Sequence, residues 1–186
     1  MTSIVKTSTA LWLGLLAGLV LTLAACGGDD DDGASTPIVA SPATEAAYLE
    51  VLAPALQAVN AQLDGLGELR AAAFDDGPDP AAADAYGAAY ETFASERLAA
   101  IEALTPNESL ADEHQALVAA AGDGVLLAED LRAELNDSPP ASDAEFLELF
   151  GGLDGATITG RYHDACTALQ SSAMSGGLDV DLQCLI

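Results

Sequence analysis

Residues 41–74 read SPATEAAYLEVLAPALQAVNAQLDGLGELRAAAF. Leu49, Leu52, Leu56, Val59, Leu63 and Leu66 recur at steps of three and four, which lines them along one face of a helix. Ser41 and Thr44 with Glu45 supply the helix start, because a short hydroxyl side chain can accept from the first free backbone amides. Pro54 falls inside the stripe and predicts a kink near Glu50 to Leu52, where its ring crowds the preceding turn. The helix should end near Phe74, before the turn-forming run Asp75-Asp76-Gly77-Pro78-Asp79-Pro80.

The same period continues downstream. Pro80 opens a second helix at the one position where its missing N–H costs nothing, with the stripe Tyr86, Tyr90, Phe93, Arg97, Ile101 and Leu104. Thr105-Pro106-Asn107 breaks it. A third helix carries Leu110, His114, Leu117, Ala121, Val125, Ala128, Leu131 and Leu135, and ends at Asn136-Asp137-Ser138-Pro139-Pro140. Ser142 caps a short helix with Phe146, Leu149 and Phe150 turned inward, and residues 162–174 read as a last helix ended by Gly176-Gly177. Residues 178–184 alternate apolar and acidic side chains, so the tail is expected to be extended. The predicted class is all-α: an antiparallel bundle of about four helices over residues 42–186, with an extended, disulfide-pinned C-terminal tail.

Upstream of the bundle, residues 26–41 (CGGDDDDGASTPIVAS) have no apolar periodicity, and four consecutive aspartates repel one another, so they read as a flexible acidic tether. An EF-hand loop with Gly33 at its sixth position needs Asp at Gly28 and Glu at Val39, and both are missing. Further upstream, Lys6 precedes the 15-residue apolar run LWLGLLAGLVLTLAA at 11–25. That run is shorter than the roughly 20 residues a spanning helix needs, and it has the layout of a secretory signal. Its small residues lead into Leu23-Ala24-Ala25-Cys26, which resembles the lipobox of bacterial lipoproteins. The resemblance implies removal of residues 1–25, lipidation of Cys26 and attachment to the bilayer by two or three acyl chains, since one chain holds only marginally. Gly27 in place of Asp after the cysteine implies the outer membrane, if the envelope is Gram-negative. A late Cys on a helix followed by an apolar-Asp-apolar tail ending in Cys also resembles small, uncharacterised helical lipoproteins of bacteria.

Charge narrows the partners. The whole chain carries −25, and without Lys6 the remainder carries −26, from Arg70, Arg97, Arg132 and Arg161 against 30 Asp and Glu. Such a surface repels phosphate backbones, which excludes nucleic acid as a partner. In an oxidising compartment, with Cys26 taken by lipid, Cys166 and Cys184 are expected to pair.

No nucleophile elbow, phosphate-binding loop, dinucleotide fingerprint or His-Glu-x-x-His motif occurs in the sequence, so no catalytic residue, cofactor or metal ligand is assigned. His114 and His163 have no metal-ligand spacing with Asp112 or Asp164. Asn107-Glu108-Ser109 and Asn136-Asp137-Ser138 match the glycosylation sequon but read equally as loop and cap residues. The function expected is a membrane-anchored envelope lipoprotein that binds a protein or small ligand, or serves structurally, without catalysis. The alternative is an enzyme whose site is assembled from residues distant in sequence.

Arg97 and His114 are the polar residues on their two stripes. A hairpin about Thr105-Pro106 pairs Ile101 with Leu110, Phe93 with Val118, Tyr90 with Ala121 and Tyr86 with Val125. It also brings Arg97 to His114. Two readings follow: a satisfied polar layer that fixes register, or, with Tyr90, the floor of a small-ligand pocket.

Overall fold

The computed structural model describes residues 44–75 and 77–184. The class is all-α, with no strand among the described residues. Among the described residues six α-helices stand where about four were expected: α1 (Glu45–Asn60), α2 (Leu63–Phe74), α3 (Pro80–Glu102), α4 (Ala111–Asp137), α5 (Asp143–Gly152) and α6 (Gly155–Ser175). One 3-10 turn, Glu108–Leu110, precedes α4. The starts follow the sequence. Thr44 Oγ1 accepts from Ala47 N at 3.2 Å, and Asp79 Oδ1 accepts from Ala81 N and Ala82 N ahead of Pro80. Ser142 Oγ accepts from Glu145 N, while the Glu145 carboxylate accepts from Ala141 N at 2.8 Å, so each satisfies a free amide of the other's turn.

The first stripe is divided differently from the sequence expectation. The helix continues through Pro54, and an interruption falls at Ala61-Gln62. Burial explains the continuity: Leu52, Ala53 and Leu56 flank Pro54 in the core. At the interruption Ala61 N bonds Gln57 O and Gln62 N bonds Val59 O, a tightened last turn. Gly65 and Gly67, poor helix formers, follow at once.

α6 begins at Gly155, well before Tyr162. Asp154 takes the left-handed conformation (φ 57) that turns the chain out of α5. A methyl group at Gly155 would overlap the Phe150 ring, so glycine is what allows this turn to close.

The α3–α4 register also departs from the hairpin reading. Gly87 lies against Arg132, Arg132 Nη1 pairs with Glu91, and Arg97 Nη2 lies by Gly124. Gly124 thus takes the place expected of His114, a displacement of about ten residues along α4. The connection is longer than a tight turn: residues 103–107 and the 3-10 turn fill it, and Leu110 is tucked into the core.

Two apolar clusters result. One joins α1, the end of α3, the start of α4 and α6 through Leu49, Leu52, Leu56, Ile101, Leu117 and Tyr162. The other joins α2, the start of α3, the end of α4 and α5 through Phe74, Tyr86, Phe93, Leu131, Leu135 and Phe146. The observed register keeps Phe93 and Tyr86 beside Leu131 and Leu135, whereas the expected one would have split the clusters.

The tail, residues 178–184, has no regular secondary structure and lies against the first cluster, with Leu182 fully buried. Cys166 and Cys184 form the expected disulfide, with Cα atoms 5.5 Å apart. Side chains of α1 and α6 take up the tail's backbone groups. Gln57 donates to Asp181 O (3.1 Å), Asn60 to Gln183 O (2.9 Å) and His163 Nδ1 to Cys184 O (2.8 Å). Gln170 donates to Val180 O and accepts from Leu182 N at 2.7 Å. A segment outside any helix thus finds partners for its backbone groups in side chains.

The signal segment 1–25, Cys26 and the tether 26–41 lie outside the described residues. Among the described residues no helix is long and apolar enough to cross a membrane.

Candidate functional site

Arg97, His114 and Tyr90 do not converge. His114 sits on α4 about 15 Å before the level of Arg97, taking ten residues at 1.5 Å each. The pairing of Arg97 with His114 is therefore corrected. Each has a different partner. Tyr48, fully buried on α1, shares a hydrogen bond with His114 Nδ1 at 2.6 Å, and the two rings meet edge to face. Burial lowers the His114 pKa and raises that of Tyr48, so the Tyr48 hydroxyl keeps its proton and donates the hydrogen bond to the neutral imidazole.

Arg97, only 8% exposed, lies at the seam of the two clusters. Its guanidinium stacks between Phe93, 4.7 Å from the ring centre, and Tyr162, at 4.0 Å. Phe93 belongs to one cluster and Tyr162 to the other. Among the described residues no carboxylate pairs with Arg97, and its Nε has no hydrogen-bond partner. Arg70, Arg132 and Arg161, by contrast, pair with Asp143, Glu91 and Asp123. The polar layer of the sequence reading is thus a cation held by aromatic faces.

Tyr90 belongs to a different feature. A groove of about 280 Å³ opens between α2, α3, α5 and α6. Leu63, Leu66, Tyr86, Tyr90, Phe146 and Phe150 form its walls; Arg70, Leu147 and Thr159 stand around them. Its volume is at the small end of the roughly 300–1,000 Å³ range of ligand pockets. Tyr86 stacks on Tyr90, and Phe146 on Phe150, with centroids 6.0 and 6.1 Å apart. Phe74 stacks on Phe146, with centroids 5.0 Å apart. Arg70 is the cation of the groove; it lies 5.7 Å from the Phe146 centroid and 3.3 Å from Asp143. Leu147 is half exposed at the mouth.

Burial raises the pKa of Tyr86 and of Tyr90, so both remain protonated. Arg70 opposes the rise at Tyr86, and Arg97 opposes it at Tyr90. Neither hydroxyl has a hydrogen-bond partner among the described residues. No Asp, Glu, His or Cys lines the groove. Nor do three such residues gather anywhere among the described residues in a way that could hold a metal ion. His163 is already engaged with the tail.

The sequence reading named Tyr90 but missed Arg70, Tyr86, Phe146 and Phe150 as its neighbours. The available signal was the pair of aromatic i, i+4 steps, 86/90 and 146/150, which place two rings together on each of two helices. No protein-family model, curated protein or solved structure matches the chain.

Proposed function

We propose that the chain is an exported lipoprotein, held to the bilayer through lipidated Cys26, whose folded part is a non-enzymatic binding module. The groove between α2, α3, α5 and α6 is the observation that carries the binding reading. Its apolar aromatic walls and two unpartnered phenols suit recognition. Its lining also lacks the carboxylate, imidazole or thiol that acid–base or nucleophilic chemistry uses. The frame around it is an antiparallel bundle of four principal helices, α1, α3, α4 and α6. The shorter α2 and α5 complete the groove with α3 and α6.

The anchor rests on Leu23-Ala24-Ala25-Cys26, and an acidic tether sets the module off from the membrane. Fractionation of cells expressing Cys26→Ser tests it. The variant is expected to keep its leader and to lose lipid label. A variant processed at the same point and still labelled and membrane-bound would exclude the anchor. Binding is tested separately, by the probes described next.

A further inference from the structure

Three properties of the groove, taken with the reading of it as a binding site, narrow what it accepts. Its walls are rings and leucines, with Tyr86 and Phe146 set edge to face, so most of the occupant's surface must be apolar, and an aromatic ring suits it. Its unused polar capacity leans to donors, since each free phenol can donate as well as accept. The Tyr86 and Tyr90 hydroxyls have no partner among the described residues, and Arg70 has only donors to offer. Finally, Arg70 is already neutralised by Asp143, and the chain as a whole carries −25. An anionic ligand therefore gains no free cation and meets a repulsive field. A cationic ligand finds the Phe146 face taken by Arg70.

We propose that the groove binds a small, uncharged aromatic molecule carrying a carbonyl oxygen, with that oxygen accepting from the hydroxyls of Tyr86 and Tyr90. The inference rests on the binding reading above and specifies its ligand class. Gly155 belongs to the same device. A methyl group there would overlap Phe150 and push its ring from its seat in the groove wall.

Three probes of one shape separate the possibilities: 1-acetonaphthone carries the carbonyl, 1-ethylnaphthalene lacks it, and 1-naphthoate is charged. Binding is measured on the full lipidated chain in nanodiscs by saturation-transfer NMR and equilibrium dialysis, with empty nanodiscs as reference. The acetonaphthone is expected to bind at least about threefold tighter than the ethylnaphthalene, as one added hydrogen bond allows, and the naphthoate weakest. Tyr90→Phe and Tyr86→Phe should each weaken acetonaphthone by about threefold to tenfold and leave ethylnaphthalene unchanged. Gly155→Ala should weaken both neutral probes by at least about tenfold, with an unchanged helical circular-dichroism spectrum.

Equal binding of the two neutral probes, unaffected by either Phe variant, would overturn the carbonyl claim and leave the groove as an apolar site. Tightest binding by naphthoate would overturn the uncharged class. If no probe binds the wild-type chain, the groove is not a ligand site, and both the inference and the binding reading fall.

Discussion

Removing the Cys166–Cys184 bridge, by Cys166→Ala with Cys184→Ala, should free the tail before it unfolds the core. The bridge closes a segment with a sequence separation of 18. In the chain-entropy model that contributes about 3 kcal/mol. Without it, five side-chain hydrogen bonds hold residues 178–184, at about 1 kcal/mol each. Burial of Leu182 adds about 2 kcal/mol. Ordering seven residues costs about 1–2 kcal/mol apiece, or about 7–14 kcal/mol. The unbridged tail therefore sits near balance, with the bridge deciding that it stays docked. Hydrogen exchange at the Leu182 amide, which donates to Gln170, reports the docking directly. In the double variant its protection should fall by at least about a hundredfold, the equivalent of about 3 kcal/mol. Protection in the helices α3 and α4, away from the tail, should fall less. Leu182 protection within tenfold of wild type would refute the reasoning, because the hydrogen bonds alone would then suffice.

Arg97→Met should change stability by no more than about 1 kcal/mol in urea unfolding. Two ring contacts of about 0.5–2 kcal/mol each are lost, while a buried Nε without a partner, costing about 1–3 kcal/mol, is removed. A loss above about 3 kcal/mol would mean that the charge itself has a partner which the ring sandwich does not supply. The Tyr48–His114 bond should make stability pH-dependent. Burial holds the His114 pKa below its ordinary 6.5, so the unfolded chain binds the proton first, and the contribution is complete above about pH 6.5 and is lost as pH falls below it. Melting temperatures of wild type minus His114→Gln, taken from pH 8 to pH 5, should show that decline; a flat difference would refute it.

Helix existence was legible in the sequence because it depends on local chemistry. The caps at Thr44, Asp79 and Ser142 and the three- and four-residue periods are properties of neighbours along the chain. The Cys166–Cys184 bridge was expected from the cysteine count and is present. The break at Ala61-Gln62 was not legible, while the helix carries through Pro54 because Leu52 and Leu56 are worth more buried than the lost backbone bond costs. Register was illegible. The stripes on α3 and α4 present apolar side chains at nearly every step, so shifting one helix by a few turns still pairs apolar with apolar. The register goes with features that apolar pairing does not reveal: Gly87 lies against Arg132, and the connection holds Leu110 in the core. The groove was illegible too, because α2 and α5 are far apart in the chain and meet only in the folded structure, where Arg70 reaches Asp143.

Scarcity of positive charge bears on how such a chain chooses among those registers. With 30 acids, almost any arrangement of these helices sets carboxylate against carboxylate, and repulsion alone separates the alternatives poorly. Four arginines can separate them. Arg70 ties α2 to α5 through Asp143, Arg132 ties α4 to α3 through Glu91, and Arg161 ties α6 to α4 through Asp123. Arg97 joins the two clusters by stacking on a ring from each. Exposed pairs of this kind contribute about 0–1 kcal/mol of stability. Their effect is on choice: a slipped register leaves the same arginine facing a leucine, or leaves its acid unpaired among other acids, and the difference counts against the alternative. The sequence shows the four cations plainly, but each has 30 acids to choose from. Their partners became readable only once the helices were packed.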